Sequence, residues 1–221
     1  MSLVKAINLG GVNCYLLAAG DGFVLVDTGY IGKRAQLEHA LESAGCTPGK
    51  LKLIVLTHGD SDHADNCAYL RSTYGCLIAM HNLDAGMVEQ GDMSWNRKAR
   101  ADRYSLVFRL IGFIAKAFSG GSKFERFKPD IMIDERFDLA SYGLNAKVLY
   151  IPGHSKGSIG ILTDSGDFYC GDFAYNMPGF QFIDDIDDHA RSMEKLKGLR
   201  IETVYPGHGK PFPMSALLRK G

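Results

Sequence analysis

Four short segments carry histidine and aspartate at places where a chain can aim them at one point. Thr57-His58-Gly59-Asp60-Ser61-Asp62-His63 directly follows the apolar run 51–56, and Pro152-Gly153-His154, Gly171-Asp172 and Pro206-Gly207-His208 each follow another apolar stretch. Imidazole and carboxylate are the usual non-thiolate ligands of zinc, manganese and iron. A loop can turn several such side chains inward, whereas one helix or strand could not aim His58, Asp60, Asp62 and His63 together. The candidate metal ligands are therefore His58, Asp60, Asp62, His63, His154, Asp172 and His208, with Asp27 of Val26-Asp27-Thr28-Gly29 as a support. Two divalent ions held this way make hydroxide near neutral pH, and hydroxide hydrolyses its substrate.

A lone histidine is more often structural than a ligand. Here four of the seven histidines stand where an apolar strand meets a glycine-containing loop, with carboxylates nearby, which favours metal binding. The others differ. His39 falls mid-helix and His189 follows the acidic run 184–188, so both are expected in solvent, and His81 ends a strand as a packing residue.

The elements that must position these residues are legible from pattern. Short strands are expected at 3–9, 13–18 and 22–26, broken by Gly10-Gly11 and Gly20-Asp21-Gly22. A helix over 31–44 is ended by Gly45. The run 51–56 reads as a buried strand delivering His58, followed by a helix over 62–74 and a strand at 77–80. Strands resume at 131–133, 147–151, 159–163 and 168–170, then a helix at 190–197 and a strand at 203–205. Strand-rich stretches alternating with helices predict sheets covered by helices.

Composition is that of an ordinary globular protein of 221 residues, expected as one domain. Zero formal net charge offers no global field for nucleic acid or a membrane surface. The longest apolar run, 105–118, is interrupted by Arg109 and Lys116 and is too short to span a bilayer. The absence of a secretory pattern and an odd count of five cysteines without a Cys-x-x-Cys pair predict buried, reduced thiols and a cytoplasmic location.

The segments in this order resemble the metallo-β-lactamase superfamily, from the first strands to Pro206-Gly207-His208. The resemblance implies a four-layer αββα sandwich with metals at the edge between the sheets. It also implies roles. His58 and His154 would hold the first metal, Asp62, His63 and His208 the second, with Asp172 bridging and Asp27 supporting. Asp62 would orient a metal-bridging hydroxide, and Tyr175, three residues after Asp172, matches a substrate-contacting tyrosine of the family's lactonases. Two divalent ions are expected, zinc first, with manganese or iron as alternatives.

One position departs from the family's His-x-His-x-Asp-His pattern: the second histidine is Asp60. A third carboxylate shifts preference toward harder ions and weakens each metal's Lewis acidity. Alternatively Asp60 is too short to reach, and the first site is weak or empty. The variant is similar to that of competence-type DNA-uptake nucleases, which are usually fused to a membrane domain.

A long insertion at about 84–130 separates the first motif from His154. Between 96 and 128 it carries Arg97, Lys98, Arg100, Arg103, Arg109, Lys116, Lys123, Arg126 and Lys128 against Asp102 and Glu125. Residues 105–118 read as a wide apolar helix with a narrow basic stripe. It either packs on the sandwich with its charges balanced by 184–188, or forms a lid for a small-molecule substrate with an acyl or aromatic body and an anionic part. The expected activity is hydrolysis of a small ester, thioester or lactone. The alternatives are a phosphodiesterase or nuclease, and a non-catalytic ligand-binding protein on the same fold.

Overall fold

The computed structural model describes residues 3–104, 125–176 and 182–219. Two sheets form its centre. The first contains β1 (Leu3–Asn8), β2 (Asn13–Ala19), β3 (Gly22–Val26), β4 (Leu51–Val55), β5 (Leu77–Met80) and β7 (Ile131–Met132), hydrogen-bonded in that order. The second runs β13 (Phe212–Pro213), β12 (Thr203–Pro206), β10 (Asp167–Gly171), β9 (Ile159–Thr163), β8 (Ala146–Tyr150). A ribbon of β6 (Arg103–Tyr104) and β11 (Phe182–Ile183) stands apart. The helices are α1 (Arg34–Ser43), α2 (Ser61–Ala64), α3 (Cys67–Tyr74), α4 (Asn82–Gln90), α5 (Ile186–Lys197) and α6 (Met214–Leu218).

Side-chain alternation along the strands builds the layers. Leu17, Val24, Leu53 and Val55 of the first sheet meet Val148, Ile159, Ile161 and Tyr169 of the second in one buried cluster. Their neighbours Leu16, Leu25 and Ile54 face the other way, onto Leu37, Leu41, Leu70 and Tyr74 of α1 and α3. On the far side, Leu149, Phe168 and Val204 pack against Leu196, Met214 and Leu217 of α5 and α6. Helix, sheet, sheet, helix is the four-layer αββα sandwich expected. Strands covered on both faces lack polar alternation, which is why they read as continuous apolar runs.

Several boundaries differ from the sequence reading for physical reasons. The expected helix over 62–74 is two helices, α2 and α3, broken at Asp65-Asn66. Asn66 is buried and its amide donates to the carbonyls of Thr28, Gly29 and Tyr30, so the chain bends to hold the loop after β3. The helix expected at 190–197 starts earlier, at Ile186, because Asp185 caps it by accepting from the amides of Asp187 and Asp188. The expected apolar helix at 105–118 lies outside the described residues. The insertion opens with α4, capped by His81, whose ring also stacks on Tyr150. Among the described residues no helix is long and apolar enough to cross a membrane. All five cysteines are buried and unpaired.

The C-terminal ends of β3, β4, β8, β10 and β12 gather at one edge between the sheets, where loops can present side chains. Two glycines permit the approach. A Cβ on Gly171 (φ +51°) would lie 2.3 Å from Thr57 Oγ1, and one on Gly207 would lie 2.2 Å from Asp172 Oδ1. Backbone bonds then join the sheets, with Asn13 N donating to Gly207 O at 2.8 Å and Ile159 N to Thr57 O at 2.9 Å, while Gly207 N donates to Gly171 O at 2.7 Å within the second sheet. Buried Asn13 on β2 donates its side-chain amide to Pro206 O at 3.0 Å and Gly209 O at 2.8 Å, bracketing His208.

Asn13→Ala removes the side-chain donor to Gly209 O and leaves Pro206 O to the Tyr15 hydroxyl. It is expected to lower the unfolding free energy by about 1–3 kcal/mol in urea titration. Hydrogen exchange should quicken first in residues 207–209, ahead of the strands.

Candidate metal centre

Every ligand predicted from sequence arrives at this edge. His58 and Asp60 leave the end of β4, while Asp62 and His63 lie in α2. His154 follows β8, Asp172 follows β10 and His208 follows β12.

The four imidazoles share one arrangement: Nδ1 faces the scaffold and Nε2 faces the centre. His63 Nδ1 donates to Asp27 Oδ2 at 2.9 Å, His154 Nδ1 to Phe182 O at 3.2 Å and His208 Nδ1 to Gly11 O at 2.6 Å. His58 Nδ1 lies 2.9 Å from Thr57 Oγ1. That hydroxyl already donates to Asp27 Oδ2 at 2.8 Å, so it accepts from His58. In the neutral form each ring therefore carries its hydrogen on Nδ1 and a lone pair on Nε2. This is how a protein fixes the tautomer of a metal-binding histidine.

The carboxylates fill the space between the Nε2 atoms. Asp60 Oδ2 lies 3.1 Å from His154 Nε2 and 3.5 Å from His58 Nε2. Asp172 Oδ1 is 3.3 Å from His63 Nε2, and its Oδ2 is 3.2 Å from His208 Nε2 and 4.0 Å from His154 Nε2. Asp62 Oδ2 lies 3.3 Å from His208 Nε2 and 3.8 Å from His63 Nε2. Potential donor atoms group as His58–Asp60–His154, Asp62–His63–His208 and His58–His63–Asp172, each within 4.8 Å. Asp172 thus touches residues of both of the other groups.

Orphaned atoms test whether a metal suits this set. His58 Nε2, His63 Nε2 and Asp172 Oδ1 are buried without a hydrogen-bond partner. Leaving three polar atoms bare at one point is costly unless something binds there. All are nitrogen or carboxylate oxygen, so the residues fit a divalent cation.

Electrostatics agree. Burial works against the ionised form of Asp172, yet His208 and His63 hold it well below the usual carboxylate range. Burial likewise opposes ionised Asp60, but Arg97, then His154 and His58, depress it strongly. Burial pulls His63 and His208 down, while Asp172 and Asp62 overcome it and raise both, His208 to about 10. His154 is lowered, mainly by burial. The carboxylates stay anionic, and His63 and His208 supply balancing charge when protonated.

Tyr175 comes to the same place, its buried hydroxyl donating to Asp172 Oδ2 at 2.9 Å. Asp27, 2% exposed with φ 58°, accepts from Thr57 N and Thr57 Oγ1 as well as from His63. His189 differs from its expectation: it is half-buried, stacked on Phe173, with Nε2 against Phe173 O. His39 is exposed, as expected.

Two supporting residues were not singled out from sequence. Asp84, fully buried on α4, accepts from Gly157 N at 2.7 Å and Ser155 Oγ at 2.6 Å, so it braces the loop carrying His154. Arg97 reaches Asp60 at 2.9 Å from the insertion. Neither sits in a local motif. Only the tertiary fold brings Asp84 to a loop 71 residues away.

Comparison with known proteins agrees with this geometry. A family model for the metallo-beta-lactamase superfamily matches residues 7–208. An uncharacterised protein of Mycobacterium leprae is 30% identical over 92% of this chain and 89% of its own length. The beta-lactamase-like protein 2 homolog of Drosophila melanogaster is 22% identical over 93% of this chain, and the match spans only 61% of that relative's length. A protein solved in a di-iron-bound form superposes with TM-score 0.70 at 24% identity, covering 97% of this chain and 96% of that one.

Asp27→Asn keeps the shape but removes a charge and one acceptor. It is expected to weaken divalent-ion affinity about 10–100-fold in calorimetric titration. A pH series probes the charges. His208 binds its proton more tightly folded than unfolded, so its stabilisation is full below about pH 6.5 and is lost as pH rises toward about 10. The depressed carboxylates act oppositely, losing their contribution only in acid. The melting temperature of chelator-treated protein should therefore hold between about pH 5 and 6.5 and fall above that. A bound divalent ion, which replaces those protons, should remove the alkaline fall.

Proposed function

The chain belongs to the metallo-β-lactamase superfamily, and from that premise we propose that it is a dinuclear metal-dependent hydrolase of small esters, thioesters or lactones. The observation that carries this reading is the shared orientation of four histidines, Nδ1 to the scaffold and Nε2 toward three carboxylates. His58, Asp60 and His154 would hold one ion, Asp62, His63 and His208 the other, with Asp172 between them. A divalent ion bound there lowers the pKa of water and polarises the substrate's oxygen.

The chain's own residues do the rest. Asp62, whose side chain is 40% exposed, is the most open of the three carboxylates and would accept a proton from the attacking water and orient it. Tyr175 holds Asp172 and is the nearby hydroxyl that can turn to a substrate oxygen as negative charge develops there. Burial raises the Tyr175 phenol well above its ordinary value, and Asp172 adds to this, so it stays a donor across the working pH range. Asp27 and Thr57 keep His58 and His63 in register.

Zinc leads the candidate ions, with manganese or iron following from the mixed donor set; the di-iron-bound structural neighbour keeps iron in view. The alternative phosphodiesterase reading rests on Asp60 and on the basic insertion. Near the centre that charge is already committed, Arg97 to Asp60 and Lys98 to Asp102 and Asp185. Buried, unpaired cysteines support a cytoplasmic setting.

Turnover of aryl-ester, thioester, lactone and bis-arylphosphate substrates by zinc- or manganese-loaded protein tests the proposal. Asp172→Ala should lower kcat/KM on the preferred ester-class substrate by about a thousandfold while circular dichroism stays native. Unchanged turnover in that variant, or activity confined to the phosphate diester, would sink the reading.

A further inference from the structure

Arg97 is held at the centre by more contacts than a surface arginine needs. It follows a turn in which Ser94 and Trp95 are fixed on Asp92, and Arg97 N donates to Ser94 O at 3.1 Å. On one side Asn96 donates to Leu83 O at 3.1 Å and accepts from Lys156. On the other, Lys98 N donates to buried Asp184 at 3.1 Å, and Lys98 Nζ bridges Asp102 and Asp185. The guanidinium then lies over the Phe182 ring, 5.0 Å from its centroid. Its Nη2 stands 2.9 Å from Asp60 Oδ1, 3.0 Å from Asp60 Oδ2 and 3.4 Å from His154 Nε2.

Both partners are largely withdrawn from water, Arg97 at 11% exposure and Asp60 at 13%. Screening between them is weak, so a fixed positive charge acts at close range on whatever occupies the His58–Asp60–His154 group. Apart from Asp172, which lies between the groups, it offers one carboxylate, and Arg97 offsets that charge. The other group is different. Among the described residues, Asp62 and Asp172 form ion pairs only with histidines, which become neutral when they coordinate.

We propose that Arg97 is a built-in counter-cation that sets metal occupancy, making the His58–Asp60–His154 group the weaker site and the Asp62–His63–His208–Asp172 group the first to fill. Arg97 competes with a divalent ion for Asp60 and repels it, and so determines the gap between the two binding steps. The inference rests on the hydrolase reading only in requiring that the centre bind divalent ions.

Calorimetric titration of chelator-stripped protein with zinc alone, and separately with manganese alone, reads this out without turnover. Wild-type protein should bind in two unequal steps. Arg97→Gln should tighten the weaker step about tenfold or more and leave the stronger step unchanged. Arg97→Lys, which keeps the charge, should stay near wild type. His154→Ala, made in the Arg97 background, should abolish the weaker step only, which tests the order of filling even if the glutamine variant folds poorly. Two-step binding that Arg97→Gln leaves unaltered or weakens, or loss of the stronger step in His154→Ala, overturns the proposal while the metal centre stands. Absence of binding by both wild type and Arg97→Gln overturns it together with the hydrolase reading.

Discussion

A single buried carboxylate, Asp27, is the constraint from which the centre is built. It sits at the end of β3 with a backbone φ of 58°, a conformation that costs energy in a residue bearing a side chain. Its two oxygens take the amide and hydroxyl of Thr57 and the Nδ1 hydrogen of His63. Those three bonds join β3, β4 and α2, and the Thr57 hydroxyl passes the orientation on to His58. Two of the four imidazoles are thus aimed by one anion that itself stays outside the grouped donor atoms. The strained backbone is held because every polar atom of the side chain is engaged.

The second dependence is between the sheets. A sandwich whose layers meet only through apolar contact could slide by an ångström with little change in burial. Here the edge carrying the histidines is also stitched by directional bonds. Asn13 N binds the Gly207 carbonyl, the Asn13 and Tyr15 side chains hold the Pro206 carbonyl, and Ile159 binds the Thr57 carbonyl. Tyr15 packs with Tyr169 and Tyr205 just beneath, at centroid distances of 5.1 and 5.5 Å. Hydrogen bonds thus set the register where metal geometry is demanding, and apolar contact supplies cohesion elsewhere.

Much of this was legible in the sequence because its causes are local. Strands buried on both faces announce themselves as apolar runs, and β3, β5 and β9 fall at the expected residues. Candidate ligands at strand ends beside glycine were legible for the same reason, and the side chains of all seven candidates come together. What stayed hidden is set by distant partners. Asn66 breaks a helix because it must reach the loop after β3, and Asp84 looks like any acidic residue in a first helical turn until its partners Ser155 and Gly157 are seen. The acidic run 184–188 was read as a counterweight to basic charge. It is more specific than that: Asp184 clamps a backbone amide, Asp185 caps α5, and among the described residues Asp185 pairs with Lys98 and Asp188 with Arg191.

Asp60 shows why residue type alone misjudges a site. Counted from sequence, a third carboxylate adds negative charge, so it should harden the centre and blunt its Lewis acidity. That reasoning treats the ligands as an isolated set. In the fold Arg97, 37 residues along the chain, stands against the same carboxylate in a nearly dry pocket. The pair is close to neutral as a unit, yet it is not equivalent to a neutral imidazole. It has a dipole whose positive end is fixed near His154. A cation approaching His58 and His154 meets an acceptor and a repelling charge together, and the balance depends on angles that only the fold sets. The insertion that looked like a cover for the centre is therefore, at Arg97, part of its electrostatics.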